Sequence, residues 1–377
     1  MDSRERTFLA LDFQQPDRVP IDVWMSSGFE RKITAALGTT RQQLLDELDV
    51  DLRYIEGPRY IGPPLRDFGH GVDEDIWGVR RQSVEVDTGR GIETYHEVAL
   101  SPLAQARTVE QIMAHDHWPS ADWFDYTDIS RQCRELREAG RVVVFMGDRL
   151  NRLAQLKPAM YMRGVEQIFM DMVDEPEMVR AIFSRIRDFY LDYAQRIFDA
   201  AEGQLDMLLM GDDFGSQNGP LMSPAMWVDF LQTGFTAYAQ LARSYGLKVM
   251  HHTCGSVKPI IPLMLDSGLQ VLQSLQPEAV DMDPAQLKQA FGDRLAFHGG
   301  ISIQRHLPFG TVEQVRQEVR QRVEALAPGG GYILGTSHNL QADVPIENAQ
   351  ALWAAYRTFG QYSGHAPSHE PSHDLGR

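Results

Sequence analysis

Leu247-Lys-Val-Met-His-His-Thr-Cys-Gly-Ser-Val-Lys258, continued by Pro259-Ile-Ile-Pro-Leu-Met-Leu265, passes from a short apolar segment through two histidines and a cysteine into glycine and proline. The pattern is that of a strand, a turn and the start of a helix. Side chains alternate along a strand, so His252 and Cys254 share a side if the strand continues through them. Same-face neighbours stand roughly 6.5–7 Å apart on a strand, and a turn at Gly255 brings the pair closer. An imidazole and a thiol at a strand end are half of a zinc site; a buried cysteine beside a hydrogen-bonded histidine is the plainer alternative.

The same unit repeats outward in both directions. From Asp125 onward, helical runs alternate with short apolar runs, and two further apolar runs lie upstream. The strands expected are 19–24, 52–55, 142–146, 206–210, 248–252, 271–275, 294–298 and 332–335. Helices are expected at 3–11, about 38–50, 161–173, 176–201, 224–244, 284–291, 312–326 and 345–360. Eight strands alternating with helices predict an α/β fold, a single (β/α)8 TIM barrel over residues 1–361 with an N-terminal helical extension. A doubly wound sheet is the competitor, but no Gly-rich dinucleotide fingerprint follows the first strand. Residues 56–118 break the rhythm: 77–86 and 91–98 read as a hairpin turning at Asp87-Thr-Gly89, inserted after strand 2. Residues 362–377, with three histidines among prolines and serines, read as a disordered tail.

Composition narrows the partners. Of 377 residues, 43% are hydrophobic and 23% charged, and the net charge is −16. So acidic a surface repels polyanions and argues against nucleic acid. Only Cys133 and Cys254 are cysteines, which excludes a disulfide framework and suits a reducing cytoplasm. No apolar run reaches membrane-spanning length, and Met1-Asp-Ser-Arg-Glu-Arg-Thr lacks the order of a signal peptide. A cytoplasmic protein is expected, with a small-molecule substrate and a possible homodimeric state.

A barrel gathers chemistry at the C-terminal ends of its strands. Trp24 ends strand 1; Gly147-Asp148-Arg149 follows strand 3; Gly211-Asp-Asp-Phe-Gly-Ser-Gln217 follows strand 4. Gln273 lies on strand 6, His298-Gly-Gly300 ends strand 7, and Thr336-Ser-His-Asn339 follows strand 8. This brings His252, Cys254, Asp212, His298 and His338 to one rim. Asp212 and Asp213 also suit helix capping or an Asx-turn, and His298 a structural hydrogen bond. Gly329-Gly-Gly331 precedes strand 8 and reads as a turn, and Cys133 as a structural residue within a helix.

Taken together, Pro16-Asp-Arg-Val-Pro20, Gly211-Asp-Asp-Phe-Gly-Ser-Gln-Asn-Gly219, His252-Thr-Cys-Gly255, His298-Gly-Gly-Ile301, Gly335-Thr-Ser-His-Asn339 and Pro345-Ile-Glu-Asn348 resemble the uroporphyrinogen decarboxylase superfamily. The resemblance implies a single (β/α)8 barrel and one of two chemistries. The first is metal-free decarboxylation of uroporphyrinogen or a smaller acid. The second is zinc-dependent methyl transfer between a corrinoid, here supplied by a partner protein, and a thiol or methoxy substrate. The decarboxylases carry an arginine-rich stretch after the first strand; here it reads Trp24-Met-Ser-Ser-Gly-Phe-Glu30, without arginine. The resemblance therefore favours methyl transfer, with His252 and Cys254 as metal ligands. That branch places a second cysteine after strand 8, where this chain has Gly335-Thr-Ser-His338, so His338, or a carboxylate such as Asp212, is expected as the third ligand. Asp212, Asp213 and His298 are the expected catalytic groups, and Trp24, Gln217, Gln273 and Asn339 the expected substrate contacts.

Overall fold

The computed structural model describes residues 1–147 and 152–362; the tail expected beyond 362 lies outside them. Along the described residues run β1 (Leu52–Tyr54), β2 (Arg59–Tyr60), β3 (Val72–Glu74), β4 (Arg80–Asp87), β5 (Ile92–Leu100) and β6 (Phe124–Asp125). They are followed by β7 (Val142–Phe145), β8 (Met207–Gly211), β9 (Lys248–His252), β10 (Val271–Leu275), β11 (Ala296–Ile301) and β12 (Tyr332–Thr336). Seven of them form one parallel sheet in the order β1-β7-β8-β9-β10-β11-β12, with helices between successive strands from β7 onward.

Residues 20–25 close this sheet as its eighth stave without forming a regular ladder. On one side the Asp51 amide donates to Ile21 O; on the other Leu334 N donates to Pro20 O, Asp22 N to Leu334 O and Leu340 N to Trp24 O. Pro20, which has no amide hydrogen, begins the segment and so interrupts the ladder there.

Period two explains what fills the barrel. Leu52, Val142, Val144, Met207, Leu209, Met250, Val271, Ala296 and Ile333 form one buried apolar cluster, joined from below by Leu11 of the N-terminal helix. Two residues further along the same faces come Tyr54, Gly211, His252, Gln273, His298 and Gly335. The polar residues are thus the next layer of an inward row whose lower layer is aliphatic. His251, of opposite parity, points into the surrounding helices and stacks on Phe214 at 5.1 Å.

Four expectations need correction. The strand expected at 294–298 is β11 at Ala296–Ile301. It continues through Gly299 and Gly300, whose φ values of 110° and 92° suit glycine; His298 therefore sits within the strand and not at its end. The helix expected at about 38–50 is the shorter Arg41–Glu47, and a helix that was not expected, Ser27–Leu37, precedes it and ends at left-handed Gly38. The helix expected at 224–244 breaks at Leu231. The insertion is a three-stranded antiparallel sheet, β3-β4-β5, which adds a strand to the expected hairpin. No helix among the described residues is long and apolar enough to cross a membrane.

Below the barrel, the fully buried Asp51 binds the closure together. It accepts from Arg6 Nη1 at 2.7 Å, Arg18 Nη1 at 2.7 Å and the Ile21 amide at 2.8 Å. Asp51→Ala removes the buried carboxylate shared by two guanidiniums, which keep only Asp17 and Asp49, and orphans the Ile21 amide. It is expected to cost about 3 kcal/mol. Arg59→Ala, which breaks the exposed pair with Asp125, is expected to cost no more than about 1 kcal/mol. Urea unfolding of the two variants checks the difference.

Candidate metal centre

β9 ends at His252, and the chain turns outward through Thr253 to Cys254 and Gly255, where φ is 78°. That turn replaces the strand spacing with a direct approach: Cys254 Sγ lies 3.4 Å from His252 Nε2. His338, in the loop after β12, completes the cluster. The His252, Cys254 and His338 donor atoms all lie within 4.8 Å of one another, and the two imidazole rings meet edge to face at 5.7 Å.

The orientation of His252 is set by its neighbour on β10. Gln273, paired in register with His252, presents its carboxamide oxygen to Nδ1. That contact requires the proton on Nδ1 and leaves the Nε2 lone pair facing Cys254, the arrangement of a metal-binding histidine held by an outer hydrogen bond. Burial, reinforced by the Arg152 charge, depresses His252 to about 3 and His338 to about 4. Both rings are neutral at pH 7 and free to donate a lone pair. Burial, with the Asp213 charge, pushes the Cys254 thiol up to about 12, so without a cation nearby it keeps its proton.

The adjacent acids divide into two tasks. Asp212 is buried and accepts from the amides of Gln155 (2.7 Å), Leu156 (3.0 Å) and Lys157 (2.6 Å). These are the free N–H groups at the start of the helix Leu156–Arg163, so its oxygens are spent on an N-terminal cap. Burial raises it to about 6 despite those bonds. Asp213 faces the cluster instead. Oδ1 accepts from the Cys254 amide at 3.0 Å and stands 3.5 Å from His252 Nε2, and Oδ2 accepts from Lys157 Nζ at 3.0 Å. Burial opposes ionisation of Asp213, but the Lys157 ammonium and the Cys254 amide favour the carboxylate and hold it below the ordinary range.

Trp24 forms a wall of the cup, stacked on His252 with ring centroids 6.0 Å apart. Its Nε1 donates to Tyr54 Oη at 2.9 Å, Tyr54 donates to Asp22 Oδ2, and His298 Nε2 meets the same oxygen at 2.9 Å. His298 is thus linked to the cluster through the Asp22–Tyr54 chain that holds the indole. Of the other expected substrate contacts, Gln273 is committed to His252, Gln217 is exposed on the loop after β8, and Asn339 is half-buried beside His338. Thr336 turns its hydroxyl to the His338 carbonyl. Asp22, Tyr54, Arg152 and Lys157 were not anticipated. The alternation Asp22-x-Trp24 on the first stave was the available signal for Asp22; nothing in local pattern marked the others.

The two roles of the acids are separable. Asp212→Asn offers one acceptor to three amides and is expected to lose about 1–3 kcal/mol of stability while keeping any metal the protein holds. In the wild type the folded carboxyl, at about 6 against 3.8 for the unfolded group, takes up its proton first as pH falls. Its contribution to stability therefore grows from pH 6 downward and is lost as pH rises through 6. The penalty in the variant should then be larger at pH 4.5 than at pH 7.5, read by thermal unfolding with metal analysis alongside.

Comparison with known proteins agrees with this architecture. The uroporphyrinogen decarboxylase (URO-D) family profile matches residues 153–359, more than half of the 377 residues. The uroporphyrinogen decarboxylase of Psychromonas ingrahamii is 26% identical over 187 residues, 47% of this chain and 48% of that protein. That of Pseudoalteromonas translucida is 23% identical over 192 residues, 49% of each. The chain thus spans about half the length of the curated relatives it matches. Among solved structures, a methyltransferase from Methanosarcina mazei covers 95% of this chain with 99% of its own, at a TM-score of 0.63 and 18% identity; that likeness is one of fold. The profile takes in β8 to β12 and the loops that carry Asp213, Cys254 and His338, and the chain belongs to the uroporphyrinogen decarboxylase family.

Proposed function

We propose that this chain is a metal-assisted methyltransferase. It would hold zinc through His252, Cys254 and His338, with a corrinoid carried by a separate protein and a small thiol, methoxy or otherwise methylated substrate. The observation that carries the reading is the convergence of one thiol and two neutral imidazoles at the C-terminal rim. The donor set fits the ion. Zinc bonds of 2.0–2.3 Å in a tetrahedron place ligand atoms roughly 3.3–3.7 Å apart. Here the donors stand within 4.8 Å of one another, so modest side-chain movement would complete the shell. Three protein ligands with one position left over is the pattern of a catalytic site. Asp212, with its oxygens on three amides, is a poor third ligand beside His338.

When bound, zinc supplies Lewis acidity, which lowers the pKa of a substrate thiol or polarises a methoxy oxygen. The chain's own residues do the rest. Gln273 fixes the His252 tautomer. Asp213, too acidic to be an effective base, anchors the Cys254 amide and the Lys157 ammonium, a positioning role. Trp24, held by Tyr54, Asp22 and His298, closes one wall of the cup against water.

Zinc content should be close to one per chain in the wild type, and Cys254→Ser and His338→Ala should each lose most of it. The thiol at about 12 is the one ligand still protonated at pH 7. Zinc uptake should therefore release one proton, with apparent affinity rising about tenfold per pH unit between pH 6 and 9. Calorimetry in buffers of different ionisation enthalpy measures that number; two or more protons, or none, would contradict the ligand set. Turnover is tested with free methylcobalamin and 3-mercaptopropionate, following the cobalamin spectrum. Zinc-dependent demethylation abolished in Cys254→Ser is expected. Carbon dioxide release from a carboxylic acid by the chelated protein would instead favour metal-free decarboxylation, the activity named for the curated relatives.

A further inference from the structure

Arg152, in the segment after β7, stands out among the cations of the barrel. Arg6, Arg18, Arg53 and Arg163, the buried guanidiniums of the described residues, each have a carboxylate within 3.0 Å. Lys157 is likewise paired with Asp213. Arg152 has no such pair among the described residues, and its Nε is buried without a hydrogen-bond partner. Arg152 is half-buried, and the nearest carboxylate charge, Asp213, is already bound to Lys157. A cation drawn from water without a bonded counter-charge is costly, so the arrangement calls for an acceptor that no described residue supplies.

The placement of this cation is specific. Its guanidinium carbon lies 5.1 Å from the centre of the Trp24 ring, the same indole that stacks on His252. The side chain reaches that position across Gly211. A Cβ at Gly211 would stand 3.0 Å from Arg152 Cδ and 2.9 Å from His252 Cβ, so the missing side chain is what lets the arginine run past β8 into the cup. Its charge is felt at both imidazoles, where it adds to their depression. An acidic protein, net −16, attracts a small anion only where such a local cation offsets the surface field.

We propose that Arg152 is the subsite for a carboxylate on the small-molecule substrate, its planar fork gripping the acid while the reacting end of the same molecule points toward His252, Cys254 and His338. A guanidinium matches a carboxylate with two parallel N–H donors, which an ammonium cannot do. The grip is a property of Arg152 alone; the assignment of the reacting end rests on the methyltransfer reading above.

The probes are 3-mercaptopropionate and its amide, titrated calorimetrically into the full chain, zinc-loaded and after chelation. The wild type should prefer the acid by roughly tenfold to a hundredfold, the range of a charge-assisted pair. Arg152→Gln should bind the two equally, with Arg152→Lys in between. Arg152→Gln should also melt within about a degree or two of the wild type, since it removes a charge with no bonded carboxylate among the described residues; a structural arginine would show a clear drop. Wild-type protein that takes acid and amide equally, or binds neither, overturns the subsite, as does a preference surviving in Arg152→Gln. Loss of zinc binding with the acid preference intact would instead refute the metal reading and leave this one standing.

Discussion

Backbone hydrogen bonds on both sides of residues 20–25 hold that segment between β1 and β12, and the candidate site exists because of them. They turn a curved seven-stranded sheet into a closed barrel. Closure carries Trp24 from the first stave onto His252 of the fifth, and brings His338 from behind the last to within ligand distance of Cys254. Asp51 clamps the same segment from below by binding Arg6, Arg18 and the Ile21 amide together. None of the three metal-ligand candidates has meaning without that geometry, because a sheet left open would leave His338 and Trp24 at an unpaired edge.

Within the cup, low polarity decides protonation. Removing water keeps both imidazoles neutral and the thiol protonated. The one ionised acid at the cluster, Asp213, is balanced by Lys157. Such a site is electrostatically unfinished in two places: a thiol waiting for a cation to displace its proton, and an arginine waiting for an anion. The two requirements are complementary in sign, and Trp24 borders both, with Arg152 over its ring and His252 stacked on it.

Much of this was legible in the sequence, for physical reasons. Apolar runs at regular intervals placed seven of the staves to within three residues at either end, since a strand buried on both faces reads as a continuous aliphatic block. The first stave was legible from Ile21-Asp-Val-Trp24, although it does not form a regular ladder. His252 and Cys254 were visible because they lie two residues apart on one turn. His338 could be placed at their rim only by counting strands. Elsewhere local pattern misled. His298-Gly-Gly looks like a strand end, yet the two glycines adopt backbone that extends β11 and sinks the histidine below the rim. Asp212 and Asp213 are adjacent and chemically identical. Which caps a helix and which faces the cluster depends on where the amides of residues 155–157 arrive, 55 or more residues away in sequence. Gln273 was expected at a substrate, but register pairs it with His252. Arg152 could not have been singled out, because the lack of a bonded carboxylate among the described residues is visible only once those residues are placed in space.

The central claim, that one sulfur and two imidazole nitrogens of this chain bind zinc, is tested most directly by X-ray absorption at the zinc edge of the metal-loaded protein. The account predicts one sulfur at about 2.3 Å, two imidazole nitrogens at about 2.0–2.1 Å and one light exchangeable ligand. A zinc shell made only of oxygen and nitrogen, unchanged when Cys254 is replaced by serine, would contradict it.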